Sequence, residues 1–249
     1  MKLLNALRSL VFYIGYALTL VLSSVLMTVL GVLTFRKAAQ WIGVAWCRLA
    51  LWWARVVCGI RYEVTGRENI PAGGVLVLAK HESVWETLLL QSLFYPAATV
   101  LKRELLWIPF FGWGLRYSDP IAINRAERTN ALKAVLRQGA DRLRNGRRIV
   151  IFPEGTRARP GEALPYSVGG AMLAVRTGVP VVPVALNSGD CWPRGTMIKT
   201  PGLIRVIIGR PLDVTDLSAK ALNAQVEEWI EAQVRGLRDA ALTSLPAPT

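Results

Sequence analysis

The pattern of apolar and polar positions divides this chain into two unlike parts. Residues 10–34 carry no charged side chain, while Lys2 and Arg8 precede them and Arg36 and Lys37 follow. As a helix this stretch is about 37 Å long, against about 30 Å of bilayer hydrocarbon. It can span a membrane or lie deeply inserted. No small-x-small site follows before Arg36, so the stretch reads as a retained segment rather than a cleaved signal. In the next segment, residues 39–58, Trp41, Trp46, Trp52 and Trp53 interleave with Arg48 and Arg55. Tryptophan and snorkelling arginine suit the headgroup zone, whereas a helix packed on the following domain explains the same pattern.

Beyond residue 58 the period alternates. Residues 62–65 and 73–79 read as strands, the second buried, and 82–95 as a helix with Leu88, Leu89 and Leu90 inward. A strand follows at 98–102, and a helix at 130–145 that Gly146 closes. Then come a strand at 148–152, a helix at 169–177, strands at 179–186 and 205–208, and a closing helix at 218–237. Strands alternating with helices predict an α/β fold: a mostly parallel sheet with helices on both faces, preceded by an N-terminal membrane-associated helical segment. The expected division is residues 1–58 as anchoring helices and 59–249 as the α/β domain.

Composition sharpens this picture. At 249 residues, with 52% hydrophobic residues, the chain is too apolar for an ordinary soluble domain of its size. Its 30 Lys plus Arg against 17 Asp plus Glu invite an anionic partner. No zinc-ligand cluster or nucleic-acid motif accompanies that charge, and a membrane segment does; membrane lipid is therefore the expected partner and nucleic acid is not. Cys47, Cys58 and Cys191 form neither a CxxC motif nor an even set, which points to free thiols and a reducing compartment.

The candidate chemistry sits where predicted strands end, the edge at which α/β sheets gather their sites. His81, the only histidine, follows the buried strand at 73–79, with Glu86 five residues on. A neutral imidazole suits proton transfer near pH 7, and a carboxylate can fix its tautomer. Residues five apart on one helix point about 140° apart, so His81 must sit at the helix mouth with Glu86 on the first turn. Phe152-Pro153-Glu154-Gly155-Thr156-Arg157 follows another predicted strand. Arginine forks around phosphate or carboxylate oxygens, and glycine admits a ligand close to the backbone. The alternative for this turn is a structural salt bridge between Glu154 and Arg157.

Taken together, His81-x4-Glu86 and the Phe-Pro-Glu-Gly-Thr-Arg run resemble the glycerolipid acyltransferase family, in particular its 1-acylglycerol-3-phosphate acyltransferases. Ile121-Ala122-Ile123-Asn124-Arg125 is similar to the family's arginine-ended second block, and Val179-Pro180-Val181-Val182-Pro183-Val184 to its fourth. Lys102-Arg103-Glu104-Leu105 matches a Lys-x-Glu-Leu segment between the first two blocks. The sequence departs from the usual pattern in having Lys80 in place of asparagine and Glu86 in place of aspartate; in the second block Pro120 and Ala122 replace glycine and phenylalanine.

The resemblance implies acyl transfer from a thioester to the sn-2 hydroxyl of 1-acylglycerol 3-phosphate, giving phosphatidic acid. It implies His81 as general base and Glu86 as its orienter. Arg125, Arg157 and Lys102 would bind the phosphate, Glu154 would hydrogen-bond the glycerol, and Gly155 and Thr156 would complete the substrate turn. It implies no metal or other cofactor, with acyl-coenzyme A or acyl carrier protein as donor. It further implies a bacterial inner membrane with the site facing the cytoplasm. Three rivals stand beside it: a different lysophospholipid or lyso-aminolipid acceptor, a serine hydrolase built on Ser83, and a non-enzymatic basic membrane-binding protein. Ser83 lacks a Gly-x-Ser-x-Gly elbow, and a mere binder would have no use for His81, Glu86, Glu154 and Arg157.

Overall fold

The computed structural model describes residues 2–124 and 126–243. Its strands are β1 (Ile60–Thr65), β2 (Leu76–Ala79), β3 (Ala97–Lys102), β4 (Ile121–Ile123), β5 (Arg148–Ile151), β6 (Val181–Leu186) and β7 (Gly202–Ile208). Its helices are α1 (Lys2–Val32), α2 (Arg36–Cys58), α3 (Trp85–Leu93), α4 (Phe111–Leu115), α5 (Arg128–Arg144), α6 (Gly169–Thr177) and α7 (Ala219–Thr243). The strands form one sheet in the order β1-β7-β6-β2-β5-β3-β4. From β6 to β4 every pairing is parallel, and the direction reverses only between β6 and β7. The mostly parallel α/β architecture read from the sequence is the one observed.

Strand alternation explains the two layers. In β2, Val77 and Ala79 join Val150, Val182 and Val184 under α2 and α3, while Leu76 and Leu78 face Val135 of α5, Leu173 of α6 and Ile230 of α7. Both faces of the central strands are therefore buried, as a parallel sheet requires. Pro183 lies in β6, a strand interior to the sheet. Its carbonyl accepts from Gly209 N at 2.9 Å, just past the end of β7. A proline is tolerated there because the antiparallel ladder is ending and little pairing is lost.

α1 and α2 form an antiparallel hairpin turned at Thr34, whose φ is 67°. Trp53 Nε1 donates to the Phe12 carbonyl at 3.2 Å and Trp46 Nε1 to Thr19 Oγ1 at 3.3 Å. Both helices are long and apolar enough to cross a membrane. They meet the domain differently. α1 leaves Leu3, Leu7, Leu10, Ile14, Leu18 and Leu22 exposed along one side, a stripe at helical spacing that none of the described residues covers. α2 buries Trp46, Cys47, Ala50, Leu51 and Ala54 in the same core as β2 and α3, while Trp41 and Trp52 stay exposed. The tryptophans of this segment thus divide, Trp46 packing on the domain and Trp41 and Trp52 facing outward. Trp107, Phe110 and Trp113, around α4 beside α1, extend the exposed apolar surface.

Candidate active site

Parallel pairing brings the C-terminal ends of β6, β2, β5, β3 and β4 to one edge of the sheet. In that order the chain delivers Asn187 and Ser188, then His81, then Phe152 to Glu154, then Lys102, and last the position after β4. Arg125 belongs to that last position and lies outside the described residues. Lys102 is two strands from the histidine strand, a lateral step of about 10 Å.

The loop between β2 and α3 is organised by Glu86. Its side chain is fully buried and surrounded by donors. Oε1 accepts from His81 Nδ1 at 2.8 Å, from the backbone N–H of Glu82 at 2.9 Å and from that of Ser83 at 2.8 Å. Oε2 accepts from Ser188 Oγ at 2.7 Å and from Ser83 Oγ. Burial alone would raise this carboxyl, but His81, Ser83 and Ser188 together hold it below its ordinary value. It is therefore an anion at neutral pH, able only to accept, and the ring nitrogen facing it must carry the hydrogen. Nε2, on the far side of the ring, then carries no hydrogen and can accept a proton.

Helix α3 starts at Trp85 rather than at residue 82, as the sequence pattern had it, because these same bonds hold residues 82–84 in the turn before it; Trp85 N caps onto Ser83 Oγ at 2.9 Å. Ser83 is thus engaged as a structural hydroxyl beside the carboxylate, which leaves the serine-hydrolase reading without a nucleophile.

The second motif supports the histidine from below. The Phe152 ring stacks on the imidazole with centroids 4.0 Å apart and planes 18° apart. Glu154 faces inward: Oε1 takes Lys80 Nζ at 2.8 Å and Oε2 takes the backbone N–H of His81 at 2.8 Å. The salt bridge that forms is to Lys80, not to Arg157. Both of its oxygens are engaged within the loop, and its side chain is fully buried. Burial raises its carboxyl more than Lys80 and the His81 N–H lower it. Gly155 turns the chain with φ at 67°, a conformation that costs glycine nothing. Gly155, Thr156 and Arg157 are exposed.

Two cavities meet at this loop. One, of about 310 Å³, is lined by Arg157, Val84, Tyr13, Tyr16, Trp192 and Met197, among others. The other, of about 190 Å³, is almost wholly apolar and runs between the α1–α2 hairpin and the sheet from Tyr16 and Val84 past Leu88 and Leu101 to Leu115. Tyr16 and Val84 belong to both, so an apolar channel and an arginine-bearing pocket share a wall three residues from His81. Lys102 is exposed and only loosely paired with Glu104, at 3.7 Å.

Sequence reasoning found the histidine, its orienter and the second motif, and missed Ser188, which the rule that sites gather at strand ends could have supplied. It also passed over the flanking pair Lys80 and Glu82. These are both fully buried, an uncommon state for such residues and one that periodicity does not report.

Comparison with known proteins accords with this geometry. Residues 61–187 match the family model described as Acyltransferase. The chain is 42% identical to the 1-acyl-sn-glycerol-3-phosphate acyltransferase of Pseudomonas aeruginosa, over 92% of this chain and 91% of that one. It is 30% identical to the enzyme of the same name from Saccharomyces cerevisiae, over 88% of this chain and 72% of that one. The crystal structure of the 1-acyl-sn-glycerophosphate (LPA) acyltransferase of Thermotoga maritima superposes with a TM-score of 0.79 at 29% identity, covering 95% of this chain and 97% of that one. A sequence that matches the family model over residues 61–187, and named acyltransferases along nearly its full length, belongs to the acyltransferase family and is an enzyme of it.

Proposed function

We propose that this enzyme transfers an acyl group from a thioester to the sn-2 hydroxyl of 1-acylglycerol 3-phosphate, forming phosphatidic acid. The observation that carries the reading is the His81–Glu86 pair at 2.8 Å, with a buried anion on Nδ1 and a basic Nε2. Nε2 takes the hydroxyl proton as the oxygen attacks the thioester carbonyl, and Glu86 balances the positive charge that grows on the ring. As the tetrahedral intermediate collapses, the C–S bond breaks and the thiolate recovers the proton from the imidazolium. No acyl-enzyme is needed, because the thioester is already activated.

Arg157 in the arginine-bearing pocket, with Lys102 at the same sheet edge and Arg125 of the second block, supplies positive charge for the acceptor's phosphate; relatives named for 1-acyl-sn-glycerol-3-phosphate support that acceptor. The apolar channel suits an acyl chain beside the base. Acyl-coenzyme A and acyl carrier protein are both acidic donors, and the chain's net charge of +13 favours either. We assign the enzyme to a bacterial inner membrane with its site on the cytoplasmic side. The exposed apolar stripe of α1 supports the membrane, and three cysteines without disulfides suit a reducing compartment.

The test is acyl transfer in purified membranes from both thioester donors to lysophosphatidate and to other lysolipids, comparing wild type with His81→Ala. Phosphatidate formed by wild type and reduced about 10²- to 10⁴-fold in the variant is the expected result. Equal activity in both would remove His81 from the mechanism; His81-dependent transfer confined to another lysolipid would change the acceptor and keep the chemistry.

A further inference from the structure

The residues on either side of His81 are both charged, both fully buried, and both held by the C-terminal helix. Lys80 Nζ meets Glu231 Oε1 at 2.8 Å as well as Glu154, and it also donates to the Glu162 carbonyl at 2.8 Å. Tyr166 OH fixes the same Glu231 oxygen at 3.0 Å. On the other side, Arg238 Nη2 donates to Glu82 Oε1 at 2.6 Å, while Gly189 N occupies Glu82 Oε2 at 2.9 Å. Glu231 and Arg238 are seven residues apart on α7, two turns of helix and therefore on one side of it.

The apolar stripe of α7 already fixes the helix. Leu222, Val226, Ile230 and Val234 recur every fourth residue and are buried against the sheet. Holding α7 in place does not require that Lys80 and Glu82 be drawn out of water. What the two ion pairs add is a grip on the backbone just before and just after His81, in a turn whose own bonds run through side chains. Arg238 also faces Asp190, at 3.5 Å, next to Gly189 and near Ser188, which binds Glu86. The same helix thus braces the base, the turn that carries it and the loop that holds its orienter.

We propose that Glu231 and Arg238, two side chains of α7 that lie beyond the family-matched region of residues 61–187, are positioning residues for His81. The inference rests on the acyl-transfer reading for its kinetic consequence, though not for its structural one.

Because the chain holds a single histidine, its Nδ1–H resonance in ¹⁵N-histidine-labelled protein reports ring placement with no substrate present. The experiment compares Glu231→Gln, Arg238→Gln and Arg238→Lys with Val226→Ala, which weakens the same helix without touching the turn. In the two glutamine variants we expect kcat per folded enzyme to fall at least about 10-fold with KM for lysophosphatidate little changed, together with a displaced or broadened Nδ1–H signal. Arg238→Lys, which keeps one charged bond, should recover much of the rate. Val226→Ala should lower the melting temperature and leave both rate and resonance as in wild type. Glutamine variants that lose only thermal stability, with rate and resonance unchanged, would overturn the proposal. Wild type inactive on every lysolipid would sink the acyl-transfer reading, while the resonance would still decide the role of α7.

Discussion

Replacing Glu86 with glutamine separates what its charge does from what its shape does. Glutamine fits the site in one orientation: the carbonyl oxygen stays with His81 Nδ1 and the two backbone N–H groups, and the amide nitrogen faces Ser83 and Ser188. Both hydroxyls can rotate to accept from it, so three donors to the carbonyl oxygen and two acceptors for the amide keep the site filled with little strain. The lost quantity is the attraction between a carboxylate and a forming imidazolium whose nearest atoms are 2.8 Å apart. With charge centres about 4 Å apart and an effective dielectric near 20, a full proton transfer is favoured by ~4 kcal/mol. Half that charge in the transition state gives ~2 kcal/mol. Glu86→Gln should therefore lower kcat by about 30-fold if transfer is half complete and by up to ~10³-fold if the imidazolium is fully formed. KM for both substrates should stay near the wild-type value. Steady-state rates in detergent or vesicles, normalised to folded enzyme by circular dichroism, measure this. A drop of less than threefold in a correctly folded variant would show that Glu86 merely caps the turn, and the proposed base would need another source of charge balance.

Two further changes probe separate parts of the molecule. Arg157→Ala removes the guanidinium from the shared pocket and should raise KM for lysophosphatidate by about 10- to 100-fold, the worth of a charged hydrogen bond, whereas the exposed Lys102→Ala should change it less than about fivefold; initial rates against acceptor concentration check both, and equal effects would contradict the assignment. Lys199 is 1% exposed, packed on Tyr13 and Trp192 without a carboxylate partner among the described residues, and burial lowers its pKa from 10.5 to about 8. Between those values the unfolded chain binds the extra proton at this lysine, so its own contribution to stability should grow as pH climbs from 8 toward 10.5, by at most about 3 kcal/mol, against the opposite slope of the Cys191 thiol, which burial pushes up; the unfolding midpoints of wild type and Lys199→Met should shift relative to one another in favour of wild type over that range, and an identical pH slope in both proteins would refute it.

The sheet was legible because its core strands are near-continuous apolar runs, as at residues 148–151 and 181–186, and because glycines punctuate the helices. β4 was not marked as a strand: Ile121–Ile123 is three residues long, too short to display a period. The helix at 85–93 was drawn too long because its first turn is held by Glu86 and Ser83 side chains, and hydrophobic spacing does not register such bonds. His81, Glu86 and the motif at 152–157 were legible because their chemistry is carried by residue type and spacing. The inward turn of Glu154 was not, since it depends on Lys80, which in sequence looks like any solvated lysine. Glu231 and Arg238 were beyond reach for the same reason: on an amphipathic helix they read as surface charge, and only the fold brings them over the edge of the sheet.

The departures at positions 80 and 86 fit together physically. A lysine before the histidine can be buried only if anions meet it, and two do, Glu154 and Glu231. Their pull outweighs the burial that would otherwise lower the lysine's pKa, so the group stays charged. Once Glu154 is committed to Lys80 and to the His81 backbone, it cannot also orient the ring. That task falls to Glu86, whose donors together keep it ionised in a fully buried position. The site therefore sorts two buried carboxylates into two jobs by the charge of their partners. Glu154, facing the Lys80 ammonium, fixes where the histidine's backbone lies; Glu86, facing the His81 ring, is placed to stabilise the charge that the proposed reaction develops there.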